Sequence, residues 1–145
     1  MDKRLESAYK RTVYRVVIDD KSIDLFVGDL SSTLDSELRK RSVDHWVFVT
    51  AFNPGSIPQS DLENHLQNES LYRNLEDFGF EVLRCDAIDP HGEWATECGF
   101  IVLGMDRQAG LDVATKFGQN AILWGVAGRR VELVWTKIAE KLSKL

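Results

Sequence analysis

The sequence predicts a single α+β domain, in which helices pack on a mixed or mainly antiparallel sheet to form a two-layer sandwich. Pairs of short strands joined by turns alternate with helices in the order ββαβαββαββα, a pattern without the repeated βαβ crossovers of a parallel sheet. The chain has 145 residues, of which 43% are hydrophobic, and this is enough for one core. We therefore expect one domain over residues 1–145.

In the first part of the chain, a hairpin and a helix precede a buried strand. β-Branched and aromatic residues at 12–18 and 23–27 flank a polar turn at 19–21, which predicts two antiparallel strands. The helix predicted at 31–41 begins with serines and ends with basic residues. Residues 45–52 (HWVFVTAF) are almost continuously apolar, as expected of a central strand that is buried on both faces.

The next helix, predicted at 61–77, has the strongest helical pattern in the chain. Ser60 and Glu63 form an S-x-x-E capping box at its beginning, and Gly79 suits the left-handed position after its end. The helical spacing predicts an apolar stripe made of Leu62, Leu66, Leu71, Leu75 and Phe78.

The second half of the chain continues the alternation of strands and helices. A polar loop at 86–96 separates two predicted strands, and Asp106 caps a helix that ends at Phe117. A hairpin with a glycine-containing turn follows. The predicted strands are 80–85, 97–103, 121–124 and 130–135. Residues 136–145 then form a small amphipathic helix, which carries Ile138, Leu142 and Leu145 on one face.

Composition and charge exclude several classes of function. The net charge of −5 argues against nucleic-acid binding as the main activity. Acidic residues concentrate at 59–97, whereas both ends are basic, which indicates either solvated faces or a surface complementary to a charged partner. No apolar run is long enough to span a membrane, the N-terminus has no signal-peptide core, and two cysteines are too few for a disulfide scaffold. We therefore expect an acidic, reduced cytoplasmic domain without a membrane association.

Polar residues follow the buried strand and begin the next helix. Asn53 lies where this strand meets a Pro-Gly turn, and its amide can both donate and accept hydrogen bonds to a ligand. Asn64 lies in the first turn of the helix, where free backbone N–H groups favour anions. Glu63 is a third ligand-binding candidate. Each also has a simpler role: turn formation for Asn53, exposed surface for Asn64 and the capping box for Glu63.

A tryptophan, a carboxylate and an amide complete the candidate site. Trp94 could stack on the ring of a ligand. It could also raise the pKa of Glu97 by excluding water, which makes Glu97 the candidate catalytic acid or base. Gln119 follows a glycine that ends a helix, so that its amide could point toward the same end of the sheet. Alternatively, Trp94 covers a sheet edge, Glu97 is solvated and Gln119 bonds local backbone groups.

Metal, nucleophile and cofactor sites have weaker support. Asp61 and His65 are one helical turn apart, but neither an H-E-x-x-H motif nor paired CxxC motifs occur, so no metal site is predicted. Cys98 could pair with a histidine, although both cysteines are explained more simply as reduced core residues. Neither of the glycine-rich motifs G-x-G-x-x-G and G-x-x-x-x-G-K-[ST] is present, so no cofactor is predicted.

Five segments together resemble a known family. They are Tyr9-x-x-Thr12-x-Tyr14-Arg15, residues 46–54 (WVFVTAFNP), Glu63-Asn64, Trp94-x-x-Glu97 and residues 117–122 (FGQNAI). Their order and spacing are similar to those of the bacterial family called domain of unknown function 3293, and the resemblance covers roughly residues 5–135. It implies a compact bacterial domain whose biochemistry is unassigned. The C-terminal helix at 136–145 lies outside it.

Two functions from different classes remain. The first, which the sequence slightly favours, is a protein-interaction or adaptor domain, because the charge is segregated and the C-terminal helix could enter a partner's groove. Its partner-binding residues would be Ile138, Leu142 and Leu145. The alternative is a small-molecule-binding or hydrolytic site with a polar pocket at one end of the sheet. It requires the convergence of Asn53, Asn64, Trp94, Glu97 and Gln119.

Overall fold

The computed structural model describes the backbone of residues 3–143 and the side chains of residues 3–140. The helices are α1 (Lys3–Arg11), α2 (Ser32–Lys40), α3 (Asp61–Glu76), α4 (Arg107–Lys116) and α5 (Lys137–Ser143). The strands are β1 (Val13–Ile18), β2 (Lys21–Leu25), β3 (His45–Thr50), β4 (Glu81–Ile88), β5 (Glu97–Leu103), β6 (Ala121–Val126) and β7 (Glu132–Trp135). A short 3₁₀ turn, Pro54–Ser56, follows β3.

The α+β class is confirmed, and one helix precedes the predicted order of elements. This helix, α1, was not predicted, because its residues KRLESAYKR are mostly charged or polar and only Leu5, Ala8 and Tyr9 form an apolar stripe. The other elements lie within a few residues of their predicted limits. The caps predicted for α3 and α4 are also present: Ser60 accepts from the backbone N–H of Glu63, and Asp106 accepts from that of Ala109.

The strands form one seven-stranded sheet in the order β2-β1-β4-β5-β3-β6-β7. Every pair of neighbours is antiparallel, which settles the predicted "mixed or mainly antiparallel" sheet in favour of a fully antiparallel one within residues 3–143. β3 lies near the middle, where Phe48 is opposite Ile101 of β5 and Leu123 of β6. This position explains why its residues are almost all apolar.

Each face of the sheet carries its own hydrophobic core. On one face, which we call the Phe48 face, Phe48 packs in a cluster with Leu34 and Leu38 of α2. On the other, the Val47 face, Val47 packs in a cluster with Leu71 of α3 and with residues of α4. Alternate residues of β3 therefore enter different cores, as the two-residue period of a strand requires.

The buried face of α3 differs from the predicted stripe. Leu62 and Leu66 are 68% and 57% exposed, and Phe78 is 44% exposed. The helix instead buries Asn64, Asn68, Leu71 and Leu75. The prediction was wrong at these positions because it ranked residues by hydrophobicity, whereas the two asparagines satisfy backbone groups that would otherwise be buried without partners.

The C-terminal helix α5 contacts β7. Ala139 is buried and Ile138 is half-buried, so that this end of α5 packs on the domain. The side chains of the other two predicted partner-binding residues, Leu142 and Leu145, lie outside the described residues. Over residues 3–143, no helix has the length and apolar character needed to cross a membrane.

Candidate functional site

A cavity of about 290 Å³ opens on the Phe48 face at one end of the sheet. At this end β3 and β4 finish, whereas β1, β5 and β6 begin, because neighbouring strands are antiparallel. Side chains of α1, of the loop after β3 and of five strands line the cavity. The lining residues are Leu5, Ala8, Tyr9, Thr12, Tyr14, Phe48, Thr50, Phe52, Asn53, Ser56, Pro58, Ala87, Trp94, Glu97, Gln119, Ala121, Ile122 and Leu123.

Five aromatic side chains form part of the cavity wall. Tyr14 and Phe48 meet edge to face, with 5.0 Å between their ring centroids. Gly99 makes room for the Phe48 ring, because a Cβ atom at this position would lie 2.7 Å from it and 2.9 Å from the carbonyl oxygen of Val49. The ring faces and edges offer apolar contact to a ligand. They belong to Tyr9, Tyr14, Phe48, Phe52 and Trp94.

The polar end of the cavity is built around Glu97, the first residue of β5. Asn53 Nδ2 donates a hydrogen bond of 2.9 Å to Glu97 Oε1. Among the described residues this is the one hydrogen bond to the carboxyl group. The other oxygen, Oε2, has no partner there and is not fully buried. The second carboxyl oxygen is therefore unpaired but accessible, as an atom that meets a ligand must be.

Asn53 is fixed in place from several directions. Its backbone is left-handed, with φ of 45°, a conformation that asparagine tolerates better than most residues. Its Oδ1 accepts from Asn64 Nδ2 at 2.8 Å and from the backbone N–H of Gln59 at 3.0 Å. Because these two donors hold Oδ1, the amide cannot turn over, and Nδ2 must be the group that faces Glu97.

Two buried asparagines of α3 satisfy the backbone beyond the end of β3. Asn68 Oδ1 accepts from the N–H of Ala51 at 3.3 Å, and Asn64 Oδ1 accepts from the N–H of Asn53 at 2.9 Å. Gln59 Nε2 donates to the same Asn64 oxygen at 3.1 Å. The chain after β3 therefore keeps its hydrogen bonds although it has left the sheet, and the network positions Asn53.

Burial raises the pKa of Glu97, and the hydrogen bond from Asn53 only partly opposes this effect. Burial also raises the pKa of Tyr9, to which the nearby negative charge of Glu97 adds, while a hydrogen bond to Ser56 opposes the rise. The charge of Glu97 is thus felt at Tyr9, a second lining residue. A carboxyl group in such surroundings can hold a proton closer to neutral pH than an exposed one.

Trp94 is held by the loop between β4 and β5. Asp89 is buried, and its carboxylate accepts from the backbone N–H groups of His91, Glu93 and Trp94. Arg11 of α1 lies over the Trp94 ring, 5.3 Å from its centroid. This contact joins the loop to α1 on the outside of the cavity.

Gln119 and Asn120 connect the end of α4 to the loop after β3. Gln119 Nε2 donates to the carbonyl of Phe52 at 3.1 Å, and Asn120 Nδ2 donates to Ser56 Oγ at 2.9 Å. Gly118 allows a close approach here, because a Cβ atom would lie 2.9 Å from that of Pro54. Asn120 Oδ1 is the one buried side-chain oxygen or nitrogen without a partner among the described residues.

The structure brings together most of the residues predicted for a pocket. Asn53, Trp94, Glu97 and Gln119 line the cavity, and Asn64 lies behind Asn53, outside the lining. Glu63 is exposed at the beginning of α3, where its N–H donates to Ser60 Oγ, and it is not part of the cavity.

Sequence reasoning missed four of the five aromatic side chains of the wall and the contribution of α1. Tyr9 and Tyr14 were part of the family-like pattern, yet nothing in the sequence placed them at a site, because α1 itself was not predicted. Phe48 and Phe52 belong to a strand segment that was expected to be core. The signal that could have found them is their position at one strand end: Phe48 and Thr50 point to the same side of β3 as Glu97 does on β5.

Potential metal ligands are dispersed. Among the described residues, no group of three or more histidine, cysteine, aspartate and glutamate side chains is arranged to hold a metal ion. His65, which was considered with Asp61, instead packs edge to face on Phe52, with 5.9 Å between ring centroids. Both cysteines are free thiols: Cys85 is buried and Cys98 is half-buried.

The comparison with protein families identifies the region that carries the polar end of the cavity. A family model described as protein of unknown function (DUF3293) matches residues 49–122, just over half of the chain. The chain belongs to this family. The comparisons with curated proteins and with solved structures give no match.

The DUF3293 match contains the residues that build the polar end of the cavity, among them Asn53, Asn64 and Glu97. The segment with Tyr9 and Tyr14 precedes the matched region. All five segments on which the family resemblance rests meet at this place in the fold: four contribute lining residues, and the fifth contributes Asn64, which holds Asn53.

Proposed function

We propose that this protein binds a small molecule in the cavity at the end of the sheet, with Glu97 as the group that exchanges a proton or a hydrogen bond with it. The observation that carries the proposal is the convergence of Asn53, Trp94, Glu97 and Gln119, which are distant in sequence, around one space. A few polar groups that converge on an otherwise apolar cavity are the usual arrangement of a small-molecule site.

The composition of the lining supports a ligand rather than trapped solvent alone. Apolar and aromatic side chains make up most of the wall, and a few polar groups lie at one end. This is the usual composition of a small-molecule site, in which apolar contact supplies affinity and a few hydrogen bonds supply orientation. The cavity volume of about 290 Å³ suits a small metabolite.

Glu97 is the candidate acid or base of this site. Its raised pKa has burial as the main cause, and this is how proteins prepare a carboxyl group for proton transfer. Asn53 orients the carboxyl group through Oε1 and leaves Oε2 accessible. In a catalytic version of the proposal, Glu97 transfers the proton and Asn53 is the residue that positions it.

A thermal-shift screen tests the proposal. Purified protein is heated with organic acids, amines, amino acids, nucleotides and divalent metal salts, and Glu97→Gln and Trp94→Leu variants are heated in parallel. A ligand at about 100 times its Kd stabilises the folded state by about 2.7 kcal/mol, which corresponds to roughly 5–10 °C for a domain of this size. We expect at least one compound class to give such a shift and both variants to lose it.

Glu132→Gln is the matched control, because Glu132 is an exposed carboxylate on β7 that is not among the lining residues. It should keep the full shift. A compound that stabilises wild type, Glu97→Gln and Trp94→Leu equally binds elsewhere and contradicts the proposal, as does a screen in which no compound class gives a shift.

Protein interaction is a second candidate function, favoured by one specific observation. Leu62 and Leu66 are one helical turn apart on α3 and are both largely exposed, although a solvated helix face is normally polar. Together with the segregated charge they support an adaptor role. The C-terminal helix contributes Ile138 to this proposal, but Ile138 is already half-buried against the domain.

A double variant, Leu62→Ser with Leu66→Ser, tests the adaptor role. Affinity capture from a lysate is compared between wild type and variant, with light scattering to detect self-association. A partner that is captured by wild type and lost by the variant, at an unchanged melting temperature, supports the adaptor role. Equal capture by both proteins removes this surface from consideration. A reducing, cytoplasmic location is part of both proposals, because Cys85 and Cys98 are free thiols.

A further inference from the structure

The charge inside the cavity limits the chemical class of its ligand. Among the described lining residues, Glu97 is the one carboxylic acid, and the other titratable side chains are two tyrosines. These described residues include no lysine, arginine or histidine. Arg11 is outside the lining, where it lies over the Trp94 ring and pairs with Glu93 at 3.7 Å. An anionic ligand would therefore meet a carboxylate with no cation to offset it.

The Glu97 carboxyl group offers one accessible acceptor. Asn53 Nδ2 occupies Oε1, and no described side chain donates to Oε2. A partly buried carboxylate with a free oxygen is best matched by a cationic donor, because a charge-assisted hydrogen bond is stronger than a neutral one and also compensates the buried charge.

The aromatic wall suits the rest of a cationic ligand. Tyr9, Tyr14, Phe48 and Phe52 contribute rings to the same cavity as Glu97. Ring faces attract an ammonium group electrostatically when it lies within about 6 Å of the ring centroid, and they pack against alkyl or aryl carbon atoms. Among the residues that the structure describes, the cavity lining thus combines one negatively charged hydrogen-bond acceptor with apolar side chains and no fixed positive charge.

We infer that the ligand is a small primary amine with an apolar body, which binds as the ammonium ion and donates to Glu97 Oε2. This inference rests on the proposed small-molecule function and specifies its ligand class. The Asn53 amide donates a hydrogen bond to Oε1 of the same carboxylate, so that Asn53 and the ammonium group each occupy one of its two oxygens. The Gln119 Nε2 group is engaged with the carbonyls of Phe52 and Phe117, so that Gln119 offers its side-chain oxygen for a weaker polar contact.

Three probes of nearly equal shape and different charge test the ligand class: benzylamine, benzyl alcohol and benzoate. Each is titrated into the full chain, and the indole N–H signal of Trp94 is followed by NMR to place binding in the cavity. We expect benzylamine to bind about tenfold more tightly than benzyl alcohol and benzoate to bind more weakly than either. In Glu97→Gln, the preference for benzylamine over benzyl alcohol should disappear, whereas Glu132→Gln should keep it.

The outcomes separate this inference from the proposal on which it rests. If benzyl alcohol or benzoate moves the Trp94 signal at lower concentration than benzylamine, the amine class is overturned and the small-molecule site stands. If benzylamine keeps its preference in Glu97→Gln, the assigned contact is wrong. If none of the three probes moves the Trp94 signal, the inferred amine class is overturned, and the thermal-shift screen decides the small-molecule site independently.

Discussion

Asn53 and Glu97 are 44 positions apart in sequence, and the Asn53 amide donates a hydrogen bond of 2.9 Å to the Glu97 carboxyl group. This contact joins the loop after β3 to the first residue of β5. It orients a partly buried carboxyl group whose other oxygen is accessible, and it places that group at the polar end of an aromatic cavity.

The Glu97→Gln substitution should make the protein relatively more stable as the pH rises. Because burial raises the pKa of Glu97 in the folded state, the folded protein holds this proton more tightly than the unfolded chain. The contribution of Glu97 to the stability of the wild type therefore falls as the pH rises from about 4.5, the usual pKa, through the raised folded value. Glutamine removes this loss. Urea unfolding of both proteins at acid and neutral pH measures the difference, and a constant difference would contradict the assigned burial.

Asn53→Asp should place two carboxylates side by side and destabilise the protein at neutral pH. A second negative charge next to Glu97 raises the folded pKa of the pair, so that the lost stability returns as the pH falls. We expect a loss of about 2 kcal/mol at neutral pH, from the lost hydrogen bond to Glu97 and the repulsion together. Urea unfolding measures it. Gln67→Glu, an exposed change on α3, is the control and should have little effect.

A second buried carboxylate should govern acid unfolding. The Glu37 side chain is 1% exposed, and hydrogen bonds from Lys21, Lys40 and Arg41 lower its pKa to about 2 from the usual 4.5. A lowered folded pKa contributes stability that is fully present above about 4.5 and is lost as the pH falls toward 2.

The Glu37→Gln variant tests this contribution. It should be less stable than wild type at neutral pH, because three cations lose their shared counter-charge. It should also lose less stability on acidification. Urea unfolding along a pH series measures both effects, with Glu132→Gln as the control. If the free energies of unfolding of wild type and Glu37→Gln fall in parallel as the pH is lowered, Glu37 does not govern the loss of stability in acid.

Substitutions on the two faces of α3 should change the free energy of unfolding by very different amounts. Leu71→Ala and Leu75→Ala remove fully buried side chains and should each lower the free energy of unfolding by about 2–5 kcal/mol. Leu62→Ser and Leu66→Ser alter exposed positions and should change it by no more than about 0.5 kcal/mol. Chemical denaturation of the four single variants measures this contrast. Equal losses on both faces would mean that α3 is rotated relative to the sheet.

Much of the fold could be predicted because local patterns and tertiary structure agree. The apolar run at β3 belongs to a central strand, and the cap at Ser60 begins α3 at the expected residue. α1 was not predicted, because most of its residues are charged or polar and its apolar stripe is limited to Leu5, Ala8 and Tyr9, which line the cavity. The sheet order also escapes prediction, since β1 pairs with β4 across two intervening strands and two helices.

The polar part of the candidate site and one of its aromatic residues, Trp94, could be predicted. Asn53, Glu97 and Gln119 lie at element boundaries, where their residue types stand out in the sequence. Phe48 and Tyr14 do not stand out, because an aromatic residue in a strand has the same pattern whether it faces a core or a cavity. Asn64 is a third case: its position on the helix was known, but its amide bonds to Asn53 depend on the path of the loop after β3.

The most direct test of the central claim is a ligand titration of wild type and Glu97→Gln, followed through the backbone and indole NMR signals. If the cavity is a small-molecule site centred on Glu97, a ligand from the thermal-shift screen will shift the signals of Tyr9, Asn53 and Trp94 in wild type. In Glu97→Gln the same residues will respond at least about tenfold more weakly. Shifts confined to residues outside the lining, or an equal response of both proteins, would contradict the claim.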